Sequence, residues 1–165
     1  MTIPTSHTPA LLDGLVLRAH HTAVCVNDFD AARAFFTDVI GMRIEGEMDH
    51  RGEPALGVVV GLPGAVIRWA MLEFFGYRIE LFKYYEPVGR DIAIRQCDRG
   101  ITHIVFQVND TDEVCRRVRA AGIQTFSDPQ DLRGGATRPM YVVGPEGIAV
   151  EFIQFRNLPA AVPAR

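Results

Sequence analysis

The chain has 165 residues, 48% of them apolar and 22% charged. That composition excludes a disordered chain and supplies enough apolar surface for one core or for two small modules sharing one. Seventeen basic against twenty acidic residues leave a net charge of −3, so nothing favours nucleic acid as a partner, and no run of about 18 apolar residues is present to span a membrane.

The N-terminus, 1–13, carries Pro and Ala and reads as a flexible end; no basic residue precedes an apolar stretch, so it is not a secretory signal. Leu17 to Val26 alternates and reads as a strand. Asp28 or Asp30 can cap a helix that runs to Ile40, and Gly41 stops it. Met42 to Met48, Val66 to Glu73 and Tyr77 to Tyr84 read as strands, with a Gly- and Pro-bearing loop from His50 to Pro63. Residues 87–100 form a linker. Then Ile101 to Val108 reads as strand, with Asp110 or Asp112 as cap of a helix to Ala121 and Gly122 as its stop. Gln124 to Phe126, Arg138 to Val143 and Ala149 to Phe155 read as strands, and 157–165 as a second flexible end. The domain reading is therefore a first module at 14–86 and a second at 101–156. Cys25, Cys97 and Cys115 follow no CxxC spacing. They read as reduced thiols of a cytoplasmic protein and as small buried fillers.

The two modules are copies. His21-Thr-Ala-Val-Cys-Val-Asn-Asp-Phe-Asp30 matches His103-Ile-Val-Phe-Gln-Val-Asn-Asp-Thr-Asp112 at five of ten positions. Gly76-Tyr-Arg-Ile-Glu80-Leu-Phe matches Gly147-Ile-Ala-Val-Glu151-Phe-Ile, with Gly four residues before Glu in both. Eleven extra residues separate His21 from Glu80 relative to His103 and Glu151, and the loop from His50 to Pro63 is where they fit.

Side chains alternate across a strand. His21 then shares a face with Ala23 and Cys25, and His103 with Val105 and Gln107; Glu80 shares one with Phe82 and Tyr84, and Glu151 with Ile153 and Phe155. A carboxylate among apolar neighbours is costly unless it is paired or bound to a cation. Two imidazoles and two carboxylates suit one divalent ion (Ni, Zn, Co, Mn or Fe(II)) without choosing among them. The same residues are equally compatible with hydrogen-bonded core histidines and with glutamates salt-bridged to Arg78 or Arg156. His20 points away from His21 on the alternation rule and reads as no ligand.

These segments, with Ala34-Phe35-Phe36, Val39-Ile-Gly-Met42, Gly100 to Asp112 and Gly144-Pro-Glu-Gly-Ile-Ala-Val-Glu151, resemble the vicinal oxygen chelate superfamily. That superfamily includes glyoxalase I, methylmalonyl-CoA epimerase, extradiol dioxygenases and antibiotic-resistance proteins. The resemblance, over about Leu17 to Gln154, implies an α+β fold of two tandem βαβββ modules whose mixed sheet forms a cup around a metal. It implies His21, Glu80, His103 and Glu151 as ligands of one divalent ion. It further implies an isomerase or lyase that moves a proton next to a carbonyl of a small chelated substrate, with Glu151 and Glu80 as catalytic carboxylates. The alternatives are an Fe(II) extradiol-type dioxygenase, which a fourth ligand would crowd, and a non-catalytic small-molecule binding protein. Relatives are often dimers, so a homodimer is expected, with the modules pairing within a chain or swapping between chains.

The resemblance has two departures. Glyoxalase I carries an Arg four residues after its first ligand and an Asn four residues after its second, where this chain has Cys25 and Tyr84. A thiol cannot pair with a carboxylate as Arg does, so glutathione is not expected as a substrate. The expected pocket is largely apolar: Phe82, Tyr84, Val105, Ile153 and Phe155, with Trp69 or Met71 joining and Gln107 as its polar member. The loop Pro129 to Pro139, with Arg133 and Arg138, is a candidate lid over an anionic substrate.

Overall fold

A computed structural model of the protein describes residues 11, 12 and 14–156. Residues 1–10, 13 and 157–165 of the two expected flexible ends lie outside the described residues. The architecture is α+β, with two sheets. In the first half, β1 (Thr22–Cys25) leads to α1 (Phe29–Ala34), which continues as a π-helical turn, Phe35–Ile40. Then come β2 (Arg43–Arg51), α2 (Pro54–Val59), β3 (Val66–Phe74) and β4 (Tyr77–Glu86). Their sheet has the order β1-β4-β3-β2, with β1 parallel to β4 and the other pairs antiparallel. In the second half, β5 (Ile104–Gln107), α3 (Thr111–Ala120), β6 (Thr137–Val143) and β7 (Ala149–Phe155) build a three-stranded sheet, β5-β7-β6.

Local chemistry accounts for these elements. The Asp28 carboxylate accepts from the Ala31 N–H at 3.0 Å, and that of Asp110 from the Glu113 N–H at 3.0 Å. Of each pair of candidate caps, the earlier aspartate is the one used; it satisfies a first-turn donor that the helix leaves orphaned. Gly41 and Gly122 end the helical segments at φ +87° and +80°, where a side chain would be strained. The insertion expected as a plain loop holds a short helix, α2, begun by Pro54 at its first turn. The expected strand from Gln124 to Phe126 reduces to one bridge, Thr125 to Val142. With Gly122 before it and Ser127-Asp-Pro after it, too few residues remain to form a ladder.

One face of each sheet is spent on the core. Leu72 and Ile79 of the first half pack with Ile104, Met140, Val142, Val150 and Phe152 of the second, joined by Phe35 and Phe36 and by Val118 of α3. Val26, Phe29, Ala32, Ala70 and Leu81 make a second cluster under α1. The halves are also tied by Glu146, on the 3₁₀ turn Pro145–Gly147, whose carboxylate accepts from the backbone N–H groups of Asn27 and Asp28. Ile79 and Leu81 are fully buried in this way, which turns Glu80 between them to the other face of β4. Among the described residues no helix is long and apolar enough to cross a membrane. The cysteines depart from expectation: Cys115 is buried, but Cys25 and Cys97 are exposed, because neither lies on a core-facing position.

Candidate functional site

In the first half, His21 stands just before β1 and Glu80 lies in β4 opposite Ala23. His21 Nε2 is 2.8 Å from Glu80 Oε2. The other oxygen, Oε1, accepts from the Trp69 indole N–H at 2.6 Å. Trp69 comes from the neighbouring β3, and Gly46 of β2 leaves room for its ring: a Cβ there would lie 3.3 Å from two of the ring carbons. His21 Nδ1 is 2.8 Å from Nδ1 of His20. This corrects the expectation for His20. Both histidines precede the first paired residue of β1, so strand alternation does not govern them and the two rings meet edge to face.

The second half repeats the arrangement with different supports. His103 stands just before β5, and Glu151 in β7 lies opposite Val105 and Tyr141. His103 Nε2 is 3.3 Å from Glu151 Oε2, and the Tyr141 hydroxyl donates to the same oxygen at 2.9 Å. Burial, together with this bond to a carboxylate, pushes the Tyr141 phenol up to about 12, so it remains a donor. His103 Nδ1 lies 3.1 Å from the Gln96 side-chain oxygen and 3.0 Å from the Thr102 hydroxyl. With Nδ1 held by these two neighbours, Nε2 is the nitrogen turned to the carboxylate. Tyr141, Gln96 and the His20 contact were not legible in the sequence. The one available signal was that Tyr141 lies within an expected strand, Arg138 to Val143.

The arginines that could have neutralised these glutamates are engaged elsewhere. Arg78 donates to Glu45 at 2.6 and 2.9 Å, and Arg156 pairs with Asp131. Each carboxylate therefore has an imidazole and one aromatic donor beside it. Both are mostly buried, while His21 and His103 keep 33% and 30% of their side-chain surface open.

The expected pocket residues fall into two groups. Phe82 and Tyr84 continue along β4 from Glu80, half-buried, with Cys25 opposite Phe82 and Met71 opposite Glu80. Burial pushes up the Cys25 thiol, and the charge of Glu146 adds to it; burial likewise pushes up the Tyr84 phenol. Val105, Gln107, Ile153 and Phe155 line the β5–β7 surface beside Glu151, the first two exposed. Phe126, also exposed, stacks on Tyr141 at 5.9 Å. The lid expectation for Arg138 is overturned. Its guanidinium is clasped by Asp112 and Asp131, each at 2.8 Å, on the side of β6 that faces α3, and is not available to an anion.

The four expected ligands thus form two half-sets, His21 with Glu80 and His103 with Glu151. Among the described residues no three His, Cys, Asp or Glu side chains gather as a metal ion would need. The chemistry of each half-set fits a divalent ion: one imidazole nitrogen and one carboxylate oxygen side by side, each steadied by a further hydrogen bond.

Comparison with known proteins agrees with this fold. The model of the Glyoxalase/Bleomycin resistance protein/Dioxygenase superfamily matches residues 18–152, and the chain belongs to that family. It is 33% identical over 151 residues to a 2-epi-5-epi-valiolone epimerase of Actinomyces sp, covering 87% of this chain and 81% of that protein. It is 24% identical over 143 residues to a lactoylglutathione lyase of Salmonella typhimurium, covering 86% and 95%. Among solved structures, a glyoxalase family protein from Bacillus cereus superposes with a TM-score of 0.77 at 24% identity, over 88% of this chain and 99% of that one. The relatives are thus an epimerase and a lyase, and the likeness places this chain among enzymes of that superfamily.

Proposed function

We propose that the protein is a divalent-metal-dependent isomerase of the epimerase type. It acts at a carbon beside the carbonyl of a small hydroxylated ketone, in a site completed by two copies of the chain. The observation that carries this reading is the pairing of one carboxylate with one imidazole in each half, with no third His, Cys, Asp or Glu side chain joining either pair to hold a metal ion among the described residues. The opposite faces are already spent on the shared core. The faces bearing the pairs expose Val105 and Phe126 beside Glu151 and Met48 beside Trp69. A twofold partner sets the first half of one copy against the second half of the other, twice over, and brings His21, Glu80, His103 and Glu151 to one ion.

When bound, the ion polarises a chelated substrate carbonyl and lowers the cost of negative charge on its oxygen. The protein's own residues then move the proton. Epimerisation removes a C–H proton from one face of a carbon and returns one to the other, so it needs a base and an acid on opposite sides. Glu80 and Glu151, supplied by different halves, are the two groups for those roles; the proton lost to one carboxylate is balanced by the proton delivered from the other. Phe82, Tyr84, Val105, Ile153 and Phe155 keep water from the reacting carbon, and Gln107 offers an amide to a substrate hydroxyl. The likeness to an enzyme named for epimerising a valiolone, a ketone by its ending, supports this substrate class. Cys25 and Tyr84, standing where the resembled glyoxalase I carries an Arg and an Asn, argue against the glutathione chemistry of the lactoylglutathione lyases.

The test is hydrogen exchange. The protein, loaded in turn with Zn, Ni, Co and Mn, is incubated in heavy water with a panel of small hydroxylated ketones and followed by NMR. The native protein should exchange a proton next to the carbonyl. Glu151→Gln should lose about 10²–10⁴ of that rate. Undiminished exchange in both Glu151→Gln and Glu80→Gln would contradict the two-carboxylate mechanism.

A further inference from the structure

The two half-sets are not equivalent, and their difference assigns a role to Trp69. Both oxygens of Glu80 are committed: Oε2 faces His21 at 2.8 Å and Oε1 accepts from the indole at 2.6 Å. In the second half, His103 Nε2 and the Tyr141 hydroxyl converge on one oxygen, Oε2 of Glu151. The register shows why. Trp69 pairs with Phe82, two residues after Glu80; the corresponding partner of Ile153, two residues after Glu151, is Pro139, which has no donor to offer. The repeat is broken here, as it is directly opposite the glutamates, where Met71 faces Glu80 and Tyr141 faces Glu151. The indole can only donate and does not titrate. It therefore holds the carboxylate in one rotation and takes no part in proton movement. Its own ring is seated against Gly46, where a methyl group would press on two ring carbons from 3.3 Å.

We infer that Trp69 is a positioning residue that locks Glu80 with one oxygen aimed at the metal position, making the first half the fixed part of the centre. This rests on the metal-dependent reading given above. Outer hydrogen bonds of this kind are worth about 10–100-fold in metal affinity. Trp69 is also the one tryptophan in the chain. Its emission therefore reports on the carboxylate it holds.

The experiment titrates the native protein with Co(II), following tryptophan emission and, separately, Co(II) uptake by equilibrium dialysis. Stoichiometric uptake should quench the emission. Trp69→Phe keeps an aromatic ring and removes the N–H; its Co(II) affinity should fall about 10–100-fold. Leu72→Met alters the packing of the same strand on its core face, against Ile79, without touching the hydrogen bond, and should keep native affinity within about threefold. A merely structural role for Trp69 would move both variants alike. Native-like affinity in Trp69→Phe, or Co(II) uptake without quenching in the native protein, overturns the lock while leaving the metal reading in place. Failure of the native protein to take up Co(II), Zn(II) or Mn(II) overturns the metal reading, and the lock with it.

Discussion

Glu146 fastens the second half to the first, and its removal has a calculable effect. Its carboxylate takes the Asn27 N–H at 2.8 Å on each oxygen and the Asp28 N–H on one, just ahead of α1. Two backbone donors on a charged acceptor, at a partly open position, correspond to about 1–3 kcal/mol. For a chain of this size that is a fall in melting temperature of about 2–4 °C per kcal/mol. Glu146 also sits at φ +52°, where a non-glycine residue is strained. Glu146→Ala loses the clamp and keeps the strain. Glu146→Gly loses the clamp but recovers roughly 1 kcal/mol of left-handed cost. The expected order of stability is native, then Glu146→Gly, then Glu146→Ala, measured by urea unfolding with circular dichroism. Native stability in Glu146→Ala, or a glycine variant weaker than the alanine variant, would refute the clamp.

Other outcomes follow from the site. His103→Ala should lose most metal, whereas His20→Ala, whose ring only steadies His21, should weaken binding by about tenfold; both are read by elemental analysis after dialysis. The protein should form no lactoylglutathione from the methylglyoxal hemithioacetal, and robust formation in a standard absorbance assay would contradict the reading of Cys25 and Tyr84. Tyr141, raised from an ordinary value near 10 to about 12, contributes stability that is complete below its unfolded pKa and is lost as pH rises through its folded one. Alkaline titration at the tyrosinate absorbance should show a late-titrating tyrosine that disappears in Tyr141→Phe.

The two halves and the His–Glu positions were legible because duplication writes the same residues twice, and alternation fixes the faces of the two glutamates. His21 with Glu80, and His103 with Glu151, are paired in space at the matching positions. Where alternation stops, so did the reading. His20 lies outside β1, so parity misassigned it. The Gln124–Phe126 segment has apolar character but no length for a ladder. α2 hides in a Gly- and Pro-bearing stretch because Pro54 starts a helix as readily as it ends a loop. The bonds of Trp69 and Tyr141 to the glutamates were beyond the sequence for a different reason, although Trp69 was a pocket candidate: which aromatic residue reaches a carboxylate depends on cross-strand register, which neither strand carries alone. Arg138 was misread because its partners, Asp112 and Asp131, are brought to it only by the packing of α3 on β6.

The central claim is that a working site takes one half from each of two chains. Mixing two defective variants, His21→Ala and His103→Ala, tests it directly. Each alone spoils every site, whichever way the halves pair. If the halves pair between chains, unfolding and refolding an equal mixture gives mixed dimers in about half of the assemblies, each with one fully native site, so roughly a quarter of native metal occupancy returns. The account predicts that recovery, measured as tightly bound Co(II) per chain against each variant refolded alone. No recovery from a mixture that refolds fully into dimers would contradict it and place the four ligands within one chain.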